Sequence, residues 1–237
     1  LNKIYIILLS ILLTLQPGCR SQQLNFTQMS QYGIFHYCEQ DTQAVKDLLQ
    51  CCATVLPGIA GDLNLTAPEN ISIEIYPTQN DYNRNIMNPA LQNSPAISGN
   101  GKIQLVSPLA KIKIDNLTYE ERLLLLVHEY VHILIDGLDP EPPLFIDEGI
   151  ACYYSSYQFY KSAAAQYVKQ INFIPTTSQL KDHYHELPAP DLFSFLFIDY
   201  LVQQQGKQIL PAVLTQPQLL DDILNTGWLE FVKQHYY

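Results

Sequence analysis

Thirteen consecutive residues, Leu123 to Ile135, are apolar or Tyr130 except for His128, Glu129 and His132. A helix that is hydrophobic all round belongs inside a protein rather than on its surface. Burying two imidazoles and a carboxylate without partners would cost several kcal/mol. The segment therefore predicts a buried helix whose three polar groups are offset by something they bind. Thr118-Tyr119-Glu120-Glu121 just before it forms a capping box, in which the Thr hydroxyl and Glu carboxylate satisfy free N–H groups at a helix start. Gly137 marks the stop.

The spacing says what those groups bind. His128 and His132 are four apart, so their rings project from one face, one turn above the other. Imidazole nitrogens so placed suit tetrahedral Zn²⁺, which takes them at about 2.0–2.1 Å. Glu129 lies about 100° round the helix, where it reaches a water beside the metal without ligating the metal. That is the HExxH arrangement, with the carboxylate as general base.

A third protein ligand is needed. Sixteen residues after His132, on a second helix beginning near Phe145, stands Glu148 in Phe145-Ile146-Asp147-Glu148-Gly149-Ile150-Ala151-Cys152-Tyr153-Tyr154. A loop with three prolines, Asp139 to Pro143, would fold that helix back antiparallel. Asp136 continues the row of His128 and His132, and three groups in one row cannot wrap a single ion. Asp139, just past the helix end, is the competing third ligand and would make the site aspzincin-like.

His-Glu-Tyr-Val-His followed by Phe-Ile-Asp-Glu-Gly-Ile-Ala-Cys-Tyr-Tyr resembles the gluzincin metallopeptidases. It is most similar to the small bacterial members called the peptidase MA-like family, with HExxH and a downstream Glu-Gly-x-Ala. The resemblance extends more weakly from Ile71 to the helix holding Trp228. It implies a zincin-like α+β fold and one zinc ion held by His128, His132 and Glu148. Glu129 would be the general base, and a peptide or protein the substrate. Two positions depart from the family pattern. Cys152 stands where an acid often supports a ligand histidine, leaving Asp136 or Asp147 for that role. Phe193 stands where a Tyr often stabilises the oxyanion, leaving Tyr154, Tyr157, His183 and His185 as candidates. Two rivals remain open: an envelope zinc-binding protein of the same fold without proteolytic activity, and a metal-free binding or assembly lipoprotein.

The rest of the chain constrains the setting. With 23 acidic against 13 basic residues the formal charge is −10, and the longest basic cluster is Lys111-Ile-Lys113, which excludes nucleic acid as a partner. Ile4 to Leu15 after Lys3 has the length of a signal-peptide core and falls short of a roughly 20-residue membrane span. Residues 1–18 thus read as a lipoprotein-type export signal, with Cys19 as the lipidated residue or an incidental one, and 19–30 as a polar tether. A lipid anchor would be the only contact with a membrane. In an oxidising compartment Cys38 would pair with Cys51 or Cys52, with Cys152 the fourth thiol.

Residues 31–237 read as one domain. Its first half is mixed, with strands at 34–37, 71–76 and 102–107, a helix over 42–56 ended by Pro57-Gly58, and a short helix over 80–87. The strand at 102–107 precedes the His-Glu helix, where the resemblance implies an edge strand beside the cleft, open to an extended peptide; an ordinary sheet strand is the equal alternative. The second half is helical, with further helices around 159–170, 191–205, 209–214, 218–224 and 227–235.

Overall fold

The computed structural model describes residues 23–86, 91–92, 94–111, 117–138, 141–216, 219–220 and 227–236. The expected signal segment, Cys19, Asp139 and most of the expected 218–224 helix lie outside these residues. The fold is α+β, with a mixed sheet in the first half and helices in the second.

Five strands form the sheet: β1 (Phe26–Ser30), β2 (Gly33–Tyr37), β3 (Ser72–Tyr76), β4 (Ala96–Gly99) and β5 (Lys102–Val106), in the order β1-β2-β3-β5-β4. The outer pairs β1/β2 and β4/β5 are antiparallel hairpins, and the inner pairs β2/β3 and β3/β5 are parallel. Alternation decides the faces. Ile73, Ile75, Ile103 and Leu105 are buried in the main core, while Glu74, Lys102 and Gln104 join across the other face.

Three expectations change here. Phe26–Ser30, counted with the tether, is a strand held by β2. Ala96–Gly99, where the sequence shows no strand, forms β4, and β4 rather than β5 is the edge strand. The helix α1 runs Thr42–Leu63 straight through Pro57. Pro57 is exposed, so the carbonyl its ring leaves unbonded faces water, while buried Leu56, Ile59 and Leu63 continue the apolar stripe. The helix ends instead at Asn64, left-handed at φ 54°.

After the short α2 (Gln79–Asn85) and the strand pair β4/β5 come α3 (Tyr119–Ile135) and α4 (Leu144–Ile171). The capping box is formed: Thr118 Oγ1 accepts from Glu121 N and Glu121 Oε2 from Thr118 N. The helix α3 lies between the sheet and α4, packed on α1, β4 and β5. The helices expected near 145 and at 159–170 are one element bent at Ser156 (φ −150°, ψ 48°). Then follow α5 (Thr177–Asp182), α6 (Pro190–Gln205), α7 (Ile209–Thr215) and α8 (Trp228–Tyr236). The centre of the helical half is α6, buried on every side from Phe193 to Leu201. Gly149 lets α6 approach α4: a Cβ there would sit 2.5 Å from the Ser194 carbonyl oxygen. The residue beside it is Glu148, so this close packing fixes where that carboxylate stands.

Cys38, Cys51, Cys52 and Cys152 are all free thiols, so the expected pairing of Cys38 is not formed. Cys38 sits at the end of β2 with its thiol turned to the Gln23 carbonyl, and Cys52 faces the core from α1. Among the described residues no helix is long and apolar enough to cross a membrane.

Candidate metal centre

The helices α3 and α4 bring His128, His132 and Glu148 together. The Nε2 atoms of the two histidines are 3.1 Å apart, and Glu148 Oε2 is 3.5 Å from His128 Nε2 and 3.6 Å from His132 Nε2. Donors about 2.0–2.1 Å from a tetrahedral ion stand about 3.4 Å from one another. The three observed separations bracket that value, and the donor set of two imidazoles and a carboxylate is one zinc accepts. The residues present fit the ion.

Asp147 supports the site. Its Oδ1 is 2.9 Å from His132 Nδ1. A carboxylate only accepts, so Nδ1 carries the proton and Nε2 is turned toward Glu148. Burial works against a charged His132, but the Asp147 hydrogen bond and charge, with Glu148 and Glu129, outweigh it and raise its pKa to about 9. Glu148 moves the other way. Burial opposes its charge, but the hydrogen bond from His128 and the two imidazoles hold it below the usual carboxylate range.

Of the two candidate supports, Asp147 is the one in contact with a histidine, and Asp136 caps the exposed C-terminal end of α3. Cys152 cannot act as an acid: burial pushes its thiol well up, so it stays neutral. On its Nδ1 side His128 has, among the described residues, only a long contact to Ser155 Oγ at 3.5 Å. Glu129 is 8% exposed, and its Oε2 accepts a 2.6 Å hydrogen bond from Ser98 Oγ on β4.

These groups line a cleft of about 840 Å³ between β4 and the facing ends of α3 and α4. Ala96, Ile97, Ser98 and Gly99 form one wall, and His128, Glu129, His132, Asp147 and Glu148 the floor. That volume suits a ligand larger than a single residue. Among the described residues none of the four oxyanion candidates lines it. Tyr154 donates to Asp62 on α1, and Tyr157 to Asp199 on α6. His183 pairs with Glu186, and His185 packs its ring on Tyr184. Phe193 is buried against Tyr167 and Phe173.

Sequence reasoning missed Ser98 and Ser155. Ser98 lies 31 residues from Glu129 on a strand without a propensity signal, and Ser155 lies 27 residues from His128, about two turns of α4 beyond Glu148. No protein-family model matches the chain, and no curated protein matches it. The functional reading therefore rests on the site's own geometry.

Proposed function

We propose that the chain is a zinc-dependent metallopeptidase of the gluzincin type, with zinc on His128, His132 and Glu148. The observation that carries the reading is the triangle of donor atoms at 3.1, 3.5 and 3.6 Å with Glu129 beside it in an open cleft. When bound, zinc supplies a Lewis acid that acidifies water and polarises a peptide carbonyl. The free edge of β4 offers N–H and C=O groups to an extended peptide lying along the cleft. Glu129 Oε1, which has no hydrogen-bond partner among the described residues, takes a proton from the attacking water and returns it to the leaving nitrogen. Asp147 keeps His132 in the tautomer that leaves Nε2 free to ligate.

A second reading keeps the zinc and drops the cleavage. It draws on one observation: Tyr154, Tyr157, His183 and His185 all lie off the cleft. One experiment separates the two. Purified wild type and Glu129→Gln are measured for zinc content and for cleavage of a denatured proteome. The peptidase reading expects stoichiometric zinc in both and turnover only in wild type, because Glu129 is not a ligand. Zinc in both with no cleavage by wild type supports the second reading. Export and a lipid anchor at Cys19 belong to the same proposal. Mass spectrometry showing an unmodified N-terminus downstream of Cys19 would remove the anchor.

A further inference from the structure

We propose that Ser98 is a positioning residue for Glu129, coupling the edge strand that receives the peptide to the base that deprotonates the attacking water. The inference rests on the metallopeptidase reading. Among the described residues Ser98 makes the only hydrogen bond to the Glu129 side chain, and at 2.6 Å it is a short bond of the charge-assisted kind. Glu129 is nearly buried, so water cannot freely replace that donor. The bond holds Oε2 and leaves Oε1 as the oxygen free to handle a proton.

The strand pattern explains why Ser98 can reach. In β4 successive side chains alternate: Ala96 joins the main core beneath α3, whereas Ile97 packs on the opposite cluster with Tyr76 and Tyr82. Ser98 follows Ala96 in the period-two rhythm and so faces α3. Pairing of Ser98 with Ile103 on β5 fixes its height along the sheet. One edge of β4 is bonded to β5 and the other borders the cleft. The same residue thus contributes backbone to the substrate edge and its hydroxyl to the base. A peptide that pairs with β4 settles the strand, and the hydroxyl settles the carboxylate with it. Losing the hydroxyl frees the carboxylate to rotate, and a misplacement near 1 Å can cost about a hundredfold in rate.

The test uses Ser98→Ala, Ser98→Thr, Glu129→Ala and the Ser98→Ala/Glu129→Ala double variant of the full chain. Zinc content of Ser98→Ala should equal wild type. On a peptide that wild type cleaves, its kcat should fall by about tenfold or more while KM moves by less than about twofold. Ser98→Thr keeps a hydroxyl on a residue suited to strands and should recover most of the rate. A readout independent of turnover comes from urea unfolding of the metal-free proteins. Ser98→Ala should raise the unfolding constant about tenfold when Glu129 is present and far less in the Glu129→Ala background. Additive effects in that cycle, or full kcat in Ser98→Ala, overturn the inference while leaving the peptidase reading intact. Wild type that binds zinc but cleaves nothing overturns that reading and the catalytic part of this one, whatever the cycle shows. A rise in KM with kcat unchanged assigns Ser98 to the strand alone and also overturns it.

Discussion

Two groups of polar side chains sit among the helices, and they are built in opposite ways. Around Asp199 on α6, itself 1% exposed, every neighbour is a neutral donor. Tyr157 Oη donates to Oδ1 at 3.0 Å, Gln203 Nε2 to Oδ2 at 2.7 Å, and the Tyr236 hydroxyl also to Oδ2. That carboxylate is saturated, and it ties α8 and the bend of α4 to α6. Around Glu148 the neighbours are two imidazole nitrogens turned toward it and toward each other. With its Nδ1 proton held by Asp147, neutral His132 presents Nε2 as an acceptor beside the Glu148 carboxylate, and His128 Nε2 joins them as a third acceptor in its Nδ1–H tautomer. The first cluster is complete as folded, whereas on the metallopeptidase reading the second would be completed by a cation. Buried polarity alone therefore does not mark a site; the sign of the converging groups does.

The largest effect should come from breaking the convergence. Glu148→Ala should lower zinc affinity by about a thousandfold, since it removes one of three protein ligands. Chelator should then no longer lower its melting temperature, because little metal binding remains to be lost. Wild type should lose stability on chelation, since an ion held by His128, His132 and Glu148 would join α3 to α4. Equilibrium dialysis and thermal unfolding with and without chelator give both answers. Unchanged zinc binding in Glu148→Ala would remove this glutamate from the metal centre, with Asp139 as the alternative ligand to test next.

Asp199→Ala is the matching change in the saturated cluster. It should keep stoichiometric zinc and cost about 3 kcal/mol of folding stability, because Tyr157, Gln203 and Tyr236 lose their acceptor together. Urea unfolding at fixed zinc measures it. A variant that loses zinc but keeps its stability would reverse the assignment of the two clusters.

Asp147→Asn probes the boundary between them, since Asp147 is a support within the metal cluster. Support residues of this kind change metal affinity by about 10–100-fold, and a loss in that range is expected here. The pH dependence follows from His132. Its folded pKa is raised to about 9 from an ordinary 6.5. In the metal-free protein the stabilisation from its charged form is thus full below about 6.5 and lost as pH rises through about 9. Zinc needs the neutral ring, so between those values binding releases a proton and weakens as pH falls. Asp147→Asn should flatten both dependences. Calorimetry in two buffers of different ionisation heat reads the proton released.

The ease of reading these features from sequence follows the range over which each is determined. The helix α3 was legible because its cap, its apolar run and its histidine spacing are all local to Thr118–Ile135. Glu148 was legible through its neighbour Gly149, whose role in letting α6 approach explains the Glu-Gly pair. Asp136 and Asp147 could not be separated beforehand, since the choice depends on how α4 rotates against α3. The strand β4 has four residues, Ala-Ile-Ser-Gly, and owes its conformation to pairing with β5 rather than to propensity. Pro57 misled for the opposite reason. A local breaker was overridden because its missing hydrogen bond faced solvent while Ile59 and Leu63 kept the helix packed.

The smallest expected effect concerns the other imidazole. His132 has a carboxylate 2.9 Å from Nδ1, whereas His128 has the Ser155 hydroxyl at 3.5 Å. A neutral contact at that length is at the limit of hydrogen bonding and adds little orientation. Ser155 is buried at the turn before the Ser156 bend, so its removal leaves a small gap and no stranded charge. Ser155→Ala should therefore change zinc affinity by less than about threefold, against the 10–100-fold expected for Asp147→Asn. Parallel zinc titrations of the two variants test the asymmetry. An equal loss in both would mean that the two histidines are supported alike. The single carboxylate could then not be what holds the site in register.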